Sequence, residues 1–356
     1  MNVVQATSEY ESWLGRHLRL VPADVEIKHE AMREGLFPFF RATFYRWAQL
    51  WPEVCKVLRR APEALSVGDL HVENFGTWRD AEGRLIWGIN DFDEAWRLPY
   101  TYDLVRLAAS ALIAASGSGL NIRHTDATGA ILEGYRDALG KGGEPIVLAE
   151  HHLNLRRMAV ARLHDPGDYW RKIDRLPTFR DSLPKGAAEA LARLMPERGL
   201  ACRVVHRVAG LGSLGRERFT AIAEWRGGKI AREAKALAPS ACAWAAKKDA
   251  ARILYQEILD AAVRCPDPFV AQRGRWILRR LAPDCSRIEL SDMPKERDET
   301  RLLHAMGWET ANVHLGSVKP EAMLRDLKSR PGHWLHDAAG RMMEAVAADW
   351  KQWQKG

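Results

Sequence analysis

The chain lacks the features that would place it in a special class. Of its 356 residues only five are cysteine: Cys55, Cys202, Cys242, Cys265 and Cys285. They are odd in number, far apart and never form a C-x-x-C pair, so neither a disulfide framework nor a zinc site is expected, and a reducing cytoplasm is the natural home. Long apolar runs are missing as well. The most apolar stretch, Leu107 to Ala115, falls short of the ~18 residues that begin to suggest a membrane span. The first twenty residues carry Glu9, Glu11, Arg16 and Arg19 where a secretion signal needs an unbroken apolar stretch, so none is expected. There is no internal repeat, no low-complexity tract and no basic tail. Lys and Arg number 53 against 46 Asp and Glu, a net charge of +7 spread along the chain. That balance suits an anionic ligand better than a dedicated nucleic-acid-binding role. What is present is ordinary globular material, 47% apolar and 28% charged, long enough for two domains or one large two-lobed domain.

From Lys28 to Leu58 the spacing predicts helix, with Phe37, Phe40, Phe44, Trp47 and Leu50 or Trp51 recurring at threes and fours. Between Leu65 and Asp93 the pattern turns to a hairpin: Phe75 to Trp78, a turn at Asp80-Ala-Glu-Gly83, then Leu85 to Ile89. Helices are predicted over much of Tyr102 to Met195. Arg203 to Leu237 returns to strands, with Gly227-Gly228 as a two-residue hairpin turn. A long helix is expected from about Cys242 to Val263, another strand at Arg275 to Arg280, and helices from Lys295 onward with breaks near Gly316 to Pro320 and at Pro331-Gly332. Candidate boundaries lie at Met195 to Gly199 and at Asp292 to Lys295. They delimit three segments: residues 1–200, 201–291 and 292–356.

Two constellations carry chemistry. The first is Val67-Gly-Asp-Leu-His-Val-Glu-Asn-Phe-Gly76 followed by Ile89-Asn-Asp-Phe-Asp-Glu-Ala95. It sets Asp69, His71, Asn74, Asp91 and Asp93 at the two ends of one hairpin. Phosphoryl transfer needs such a set: one Asp to orient the attacking hydroxyl, and an Asn and a second Asp as hard oxygen ligands for Mg²⁺. Asp and Asn also close turns, which is the plainer explanation of any one of them. His71 is expected to orient Asp69 or the loop backbone.

The second constellation is Val208-Ala-Gly-Leu-Gly-Ser-Leu-Gly215, with Gly210, Gly212, Ser213 and Gly215 between strands. A dinucleotide fold would place a helix directly after these glycines, whereas the next segment alternates like a strand. A strand-loop-strand context matches a flap over nucleotide phosphates, where bare backbone amides approach the anion. The following strand ends in Glu233-Ala-Lys235, so Lys235 would reach the phosphates. Glu257, on the helix behind, is the expected carboxylate partner of Lys235, with Glu233 as competitor. The other histidines have no metal-ligand spacing, and the tryptophans fall mostly on apolar faces.

Gly68-Asp-Leu-His-Val-Glu-Asn-Phe-Gly76, Asn90-Asp-Phe-Asp-Glu94, Tyr102-Asp-Leu-Val-Arg-Leu-Ala-Ala-Ser110, Gly210-Leu-Gly-Ser-Leu-Gly215 and Lys235-Ala-Leu-Ala-Pro-Ser240 resemble the successive motifs of the bacterial family called domain of unknown function 2252. The first three also resemble the catalytic half of aminoglycoside and choline phosphotransferases, members of the protein-kinase-like superfamily. The resemblance implies that Asp69 is the catalytic-loop Asp, Asn74 and Asp91 are metal ligands, and Asp93 is an outer or second-metal carboxylate. In ordinary kinases the glycine flap and its Lys precede the catalytic loop, whereas here they follow it. The expected fold is therefore α+β, two-lobed and protein-kinase-like, with the lobe order circularly permuted. The expected function is ATP- and Mg²⁺-dependent phosphoryl transfer to a hydroxyl of an unidentified acceptor, a small molecule being favoured. The alternatives are a nucleotide-binding pseudokinase with a regulatory or scaffolding role and a metal-dependent hydrolase.

Overall fold

Helix-forming sequence towards both ends and strand-forming sequence in two central stretches give a mixed α+β architecture. The computed structural model describes residues 1–117, 119–149, 152–160, 165–248, 252–285 and 298–356. The chain opens with helices α1 (Val3–His17), α2 (Pro22–Glu34), α3 (Leu36–Ala42) and α4 (Phe44–Val54). Strands β1 (Glu63–Ser66), β2 (Phe75–Arg79), β3 (Leu85–Ile89) and β4 (Trp96–Pro99) follow, then helices α5 (Thr101–Ser116) and α6 (His124–Lys141). Next come β5 (Ile146–Val147), α7 (Leu153–Val160), α8 (Pro166–Asp174) and α9 (Lys185–Leu194). A strand-rich stretch holds β6 (Arg203–His206), β7 (Arg218–Trp225), β8 (Gly228–Ala236), α10 (Ala241–Ala245), α11 (Tyr255–Ala261), β9 (Ala271–Arg273) and β10 (Trp276–Leu281). Helices α12 (Glu299–Leu315), α13 (Pro320–Lys328) and α14 (Trp334–Trp353) close the described chain.

Among the described residues the strands form three antiparallel sheets: β1 with β4, β2-β3-β5, and a five-stranded sheet ordered β6-β7-β8-β10-β9. One hydrophobic core runs from the first helices through α5 and α6 to α14 and takes in Phe219, Ala234 and Ile277 of the large sheet. A smaller cluster of Ile173, Val205, Ile222, Ala231 and Leu281 lies between α8 and that sheet. Among the described residues no helix is long and apolar enough to cross a membrane.

Three sequence expectations are corrected. The hairpin between β7 and β8 turns on Arg226 and Gly227, both at positive φ (49° and 83°), with Trp225 paired to Gly228. A two-residue turn of this kind needs left-handed backbone at both central positions, and Gly228 is already the first residue of the strand. The long helix expected from Cys242 to Val263 is two short ones. Ser240 caps α10 by accepting from the Cys242 amide, and Lys247 turns left-handed (φ 52°) so that the Lys248 amide reaches the Ala243 carbonyl, which ends the helix. Glu257 therefore sits on α11, not behind Lys235. The boundary expected at 292–295, like His151 and His164, lies outside the described residues.

Helices α6 and α12 pack along much of their length because each presents a glycine at the crossing. A Cβ on Gly134 would stand 1.8 Å from the His304 carbonyl oxygen, and one on Gly307 would stand 2.0 Å from that of Ile131. Backbone cannot yield as a side-chain tip can. Gly134→Ala should therefore destabilise the fold by about 1–3 kcal/mol in urea unfolding despite the better helix propensity of Ala. Gly129→Ala, on the same helix and facing open space, should instead stabilise it by up to about 1 kcal/mol. Equal effects would show that the crossing does not depend on the missing side chains.

Candidate functional site

Helix α5 builds the Asp69 loop from below. Asp103, fully buried, accepts from the amides of Val67 (2.7 Å) and Gly68 (2.9 Å) and from His314 Nε2 (3.1 Å). His314 Nδ1 bonds the hydroxyl of Tyr135 (2.8 Å), so the carboxylate is anchored to α12 and α6. Gly68 has φ +80°, and any Cβ there would lie 2.3 Å from the Glu94 carbonyl, which lets the loop lie directly on the β3–β4 connection. One turn along α5, the buried guanidinium of Arg106 donates to Asp69 Oδ1 (2.7 and 3.2 Å) and to the Phe40 carbonyl (2.8 Å), its Cζ 3.6 Å from the Phe40 ring centroid. Asp69 Oδ2 takes no hydrogen bond among the described residues. Burial raises the Asp69 pKa, and the charges of Arg106 and Arg41 oppose the rise without cancelling it. His71 accepts from the Glu73 amide at Nδ1 (3.2 Å) and so holds the loop backbone, and Glu73 pairs with Arg41.

Asn74 ties the hairpin ends together. Its Nδ2 donates to the carbonyls of Asp69 (3.2 Å) and Asp91 (3.0 Å), and its buried Oδ1 has no hydrogen-bond partner among the described residues. The same is true of the buried Asp93 Oδ1. Two orphaned oxygens beside the Asp91 carboxylate fit a hard divalent cation such as Mg²⁺. Among the described residues no three His, Cys, Asp or Glu side chains are arranged to hold a metal by themselves. A cation here would complete its shell with water and ligand oxygens, which is how Mg²⁺ is usually held.

The five-stranded sheet closes the site from above. Directly opposed residues put Arg218, Lys235 and Ile277 in one row and Thr220, Glu233 and Arg279 in the next, all on one face. Lys235, 1% exposed, reaches Asp93 Oδ2 (2.5 Å) and Asp91 (3.4 and 3.5 Å) across 144 residues of sequence. Burial lowers the pKa of Lys235, against the pull of Asp91 and Asp93; burial and the Asp91 charge raise that of Asp93, against the pull of Lys235. Neither expected partner of Lys235 is used. Glu257 pairs with Arg97 and Arg252 at the surface, and Glu233 is taken by Arg207 and Arg218 at 2.8 Å. Burial works against the Glu233 charge, yet those two guanidiniums outweigh it and hold the carboxyl below its usual range.

The glycine loop descends onto Asp69. A Cβ on Gly212 would stand 3.3 Å from Asp69 Oδ2 and 3.2 Å from the Arg41 carbonyl. Ser213 accepts from Arg218 Nη2 (3.0 Å) and donates to the Gly210 carbonyl (3.1 Å). Just after Gly215, Arg216 joins Glu94 (2.8 Å) and Asp93 (3.4 Å).

Two cavities meet here. A cleft of about 720 Å³ lies under the charged sheet face, lined among others by Arg207, Arg218 and Arg279 and by Phe92, Tyr255 and Val270. A small cavity of about 40 Å³ contains Asp69, Asn74, Gly212 and Lys28. The residues common to both linings are Asp91 and Gly210. Of the expected site residues, Asp69, His71, Asn74, Asp91, Asp93, Gly210, Gly212 and Ser213 line the small cavity, and Lys235 contacts two of them. Gly215 lies at the end of the loop, and Glu257 is elsewhere.

Sequence reasoning assigned no role to Asp103, Arg106, Lys28 or Arg279. For Lys28 a signal existed: Asp24, Lys28 and Met32 are spaced by four and all buried, so two charges fall on the inner face of α2. His206, His304 and His314 pair with Asp24, Asp137 and Asp103 respectively, as histidines satisfied by neighbours.

A family model described as "Uncharacterized protein conserved in bacteria (DUF2252)" matches residues 19–172. The match supports that family for the segment carrying the Asp69 loop, the β2–β3 hairpin and α5. No curated protein and no solved structure matches the chain.

Asp103→Ala would leave two buried amides and His314 without their acceptor, so it should cost about 2–5 kcal/mol in urea unfolding. A cost under about 1 kcal/mol would mean that other contacts hold the loop.

Proposed function

We propose that the protein transfers the γ-phosphoryl group of ATP to a hydroxyl of a small-molecule acceptor, with Mg²⁺ as cofactor, in a two-lobed, kinase-like fold of permuted order. The observation that carries this reading is the convergence of Lys235, Asp91 and the Gly210–Ser213 loop around Asp69, where the two cavities meet. The large cleft has the size of a nucleotide site, aromatic and apolar side chains in its lining for a base and arginines for phosphates. Asn74, Asp91 and Asp93 would hold Mg²⁺, which when bound supplies positive charge against the phosphate oxygens.

Asp69 is the base. Arg106 fixes Oδ1, so Oδ2 is the oxygen left to accept the acceptor's proton as its hydroxyl oxygen bonds to phosphorus and the bond to the departing ADP breaks. The glycine loop brings backbone amides close to that point, and Lys235, Arg218 and Arg279 favour the charge on the donor phosphates.

Asp69→Asn keeps the shape and the bond to Arg106 but loses the base. In a γ-phosphate transfer assay against metabolite pools it should lower kcat by about 10²–10⁴, with nucleotide affinity little changed. Loss of nucleotide binding and thermal stability together would make Asp69 a structural residue, and unchanged turnover would exclude it as the base. Because burial raises the Asp69 pKa, wild-type activity should fall on acidification at a pH above the ordinary aspartate range.

Asp91→Ala should abolish Mg²⁺-dependent turnover with the fold retained, because Asp93 still meets the Lys235 ammonium. Equal activity in EDTA and in Mg²⁺ would refute the cofactor assignment.

A further inference from the structure

Lys28 is a buried charge that the proposed chemistry does not use. It stands on α2, is 4% exposed and faces the small cavity that holds Asp69. Its ammonium makes no hydrogen bond or ion pair among the described residues, and its contact is with the face of Tyr45, 5.6 Å from the ring centroid. The charged groups around it are Glu11 of α1, Glu94 of the β3–β4 connection, Asp69 and Arg216. Each already has a partner: Glu11 has His29, Glu94 has Arg216 and the Ala241 amide, and Asp69 has Arg106. Burial lowers the Lys28 pKa to about 8, which leaves most of it charged at neutral pH.

An ammonium without an acceptor is costly to bury, and structures retain one where something else completes it. The cavity of about 40 Å³ has room for about three water-sized groups, enough for a carboxylate or for the leading oxygens of a phosphate. The two cavities adjoin at Asp91 and Gly210, and Asp69 lines the small one and not the large cleft. That is the side from which an acceptor would meet Asp69.

We infer that Lys28 reads the acceptor, which carries an anionic group, a carboxylate or a phosphate, beside its reacting hydroxyl. The inference rests on the phosphoryl-transfer reading for the word acceptor, but the anion site can be measured without nucleotide. Titration calorimetry on the full chain, nucleotide-free, would compare glycerate, glycerol 3-phosphate and neutral glycerol. At least one anion should bind and glycerol should not, and which anion binds tells carboxylate from phosphate. Lys28→Met and Lys28→Gln should each weaken anion binding about tenfold or more, with a melting temperature equal to or above that of the wild type, because an unpartnered buried charge has been removed. ATP affinity should be unchanged in both variants. Anion affinity retained in the folded variants, glycerol binding as tightly as the anions, or no anion binding to the wild type would overturn the assignment. A large fall in melting temperature in both variants would also overturn it, making Lys28 a structural cation. Lys28-dependent anion binding in a protein that transfers no phosphate would leave the anion site standing and remove the reading it was attached to.

Discussion

The ion pair of Lys235 with Asp93 and Asp91 joins the five-stranded sheet to the β2–β3 hairpin, and the rest of the site is arranged around that join. An ammonium buried between the sheet face and the β3–β4 connection is tolerated because carboxylates meet it. Asp93 in turn is shared with Arg216, Arg216 with Glu94, and Glu94 with the amide of Ala241 at the head of α10. The Ser240 hydroxyl that caps α10 also donates to the Glu94 carbonyl. Each link leaves the next charge needing a partner, so the seam forms as a unit or carries an uncompensated buried charge. That condition fixes how segments far apart in sequence register against each other.

Helix α5 supplies the complementary constraint. Asp103 and Arg106 are three residues apart and project from the same side of the helix, one seizing the backbone at Val67 and Gly68, the other the side chain of Asp69. The helix is buried along nearly all its length, against α14 on one side and α6 on another. The orientation of the Asp69 carboxylate is therefore inherited from core packing and not from the loop that carries it. A group held so needs little reorganisation when charge develops beside it, which is the condition under which a fixed dipole or charge acts most strongly.

The sequence made some of this legible and hid the rest for a consistent reason. Period-two alternation and turn residues revealed β2, β3, β7 and β8, and the Asp/Asn/Gly cluster marked the loop that reaches the cavity. Spacing, however, reports which residues share a face of one element, not which distant element that face meets. Lys235 was assigned a carboxylate on the following helix, the nearest element in sequence, but that helix is broken by the left-handed turn at Lys247, and Glu257 ends among Arg97 and Arg252 at the surface. Glu233 is closer but satisfied by two guanidiniums. The actual partners stood 142 and 144 residues away. Arg106 was hidden differently: a charged residue amid Leu, Val and Ala looks like a solvated helix position until the aromatic cradle of Phe40, Phe44 and Trp47 is seen around it.

The same burial that orders these charges sets their effect on stability. Asp69, Asp93 and Glu94 have pKa values raised by burial, so each weakens the folded state progressively as the pH rises from the ordinary carboxylate range to its folded pKa, and the penalty is wholly relieved only on acidification below that range. Lys28 is lowered to about 8, so its penalty is present below that pH and is relieved only as the pH climbs towards the usual lysine value. Near neutrality both kinds of penalty are therefore in force at once. Ligand charge placed among these groups relieves them: a cation at the unpartnered oxygens of Asn74 and Asp93 offsets the carboxylates, and an anion at Lys28 supplies the acceptor it lacks. Binding energy and folding energy thus draw on the same few side chains, and the site is least content when it is empty at the pH where it would work.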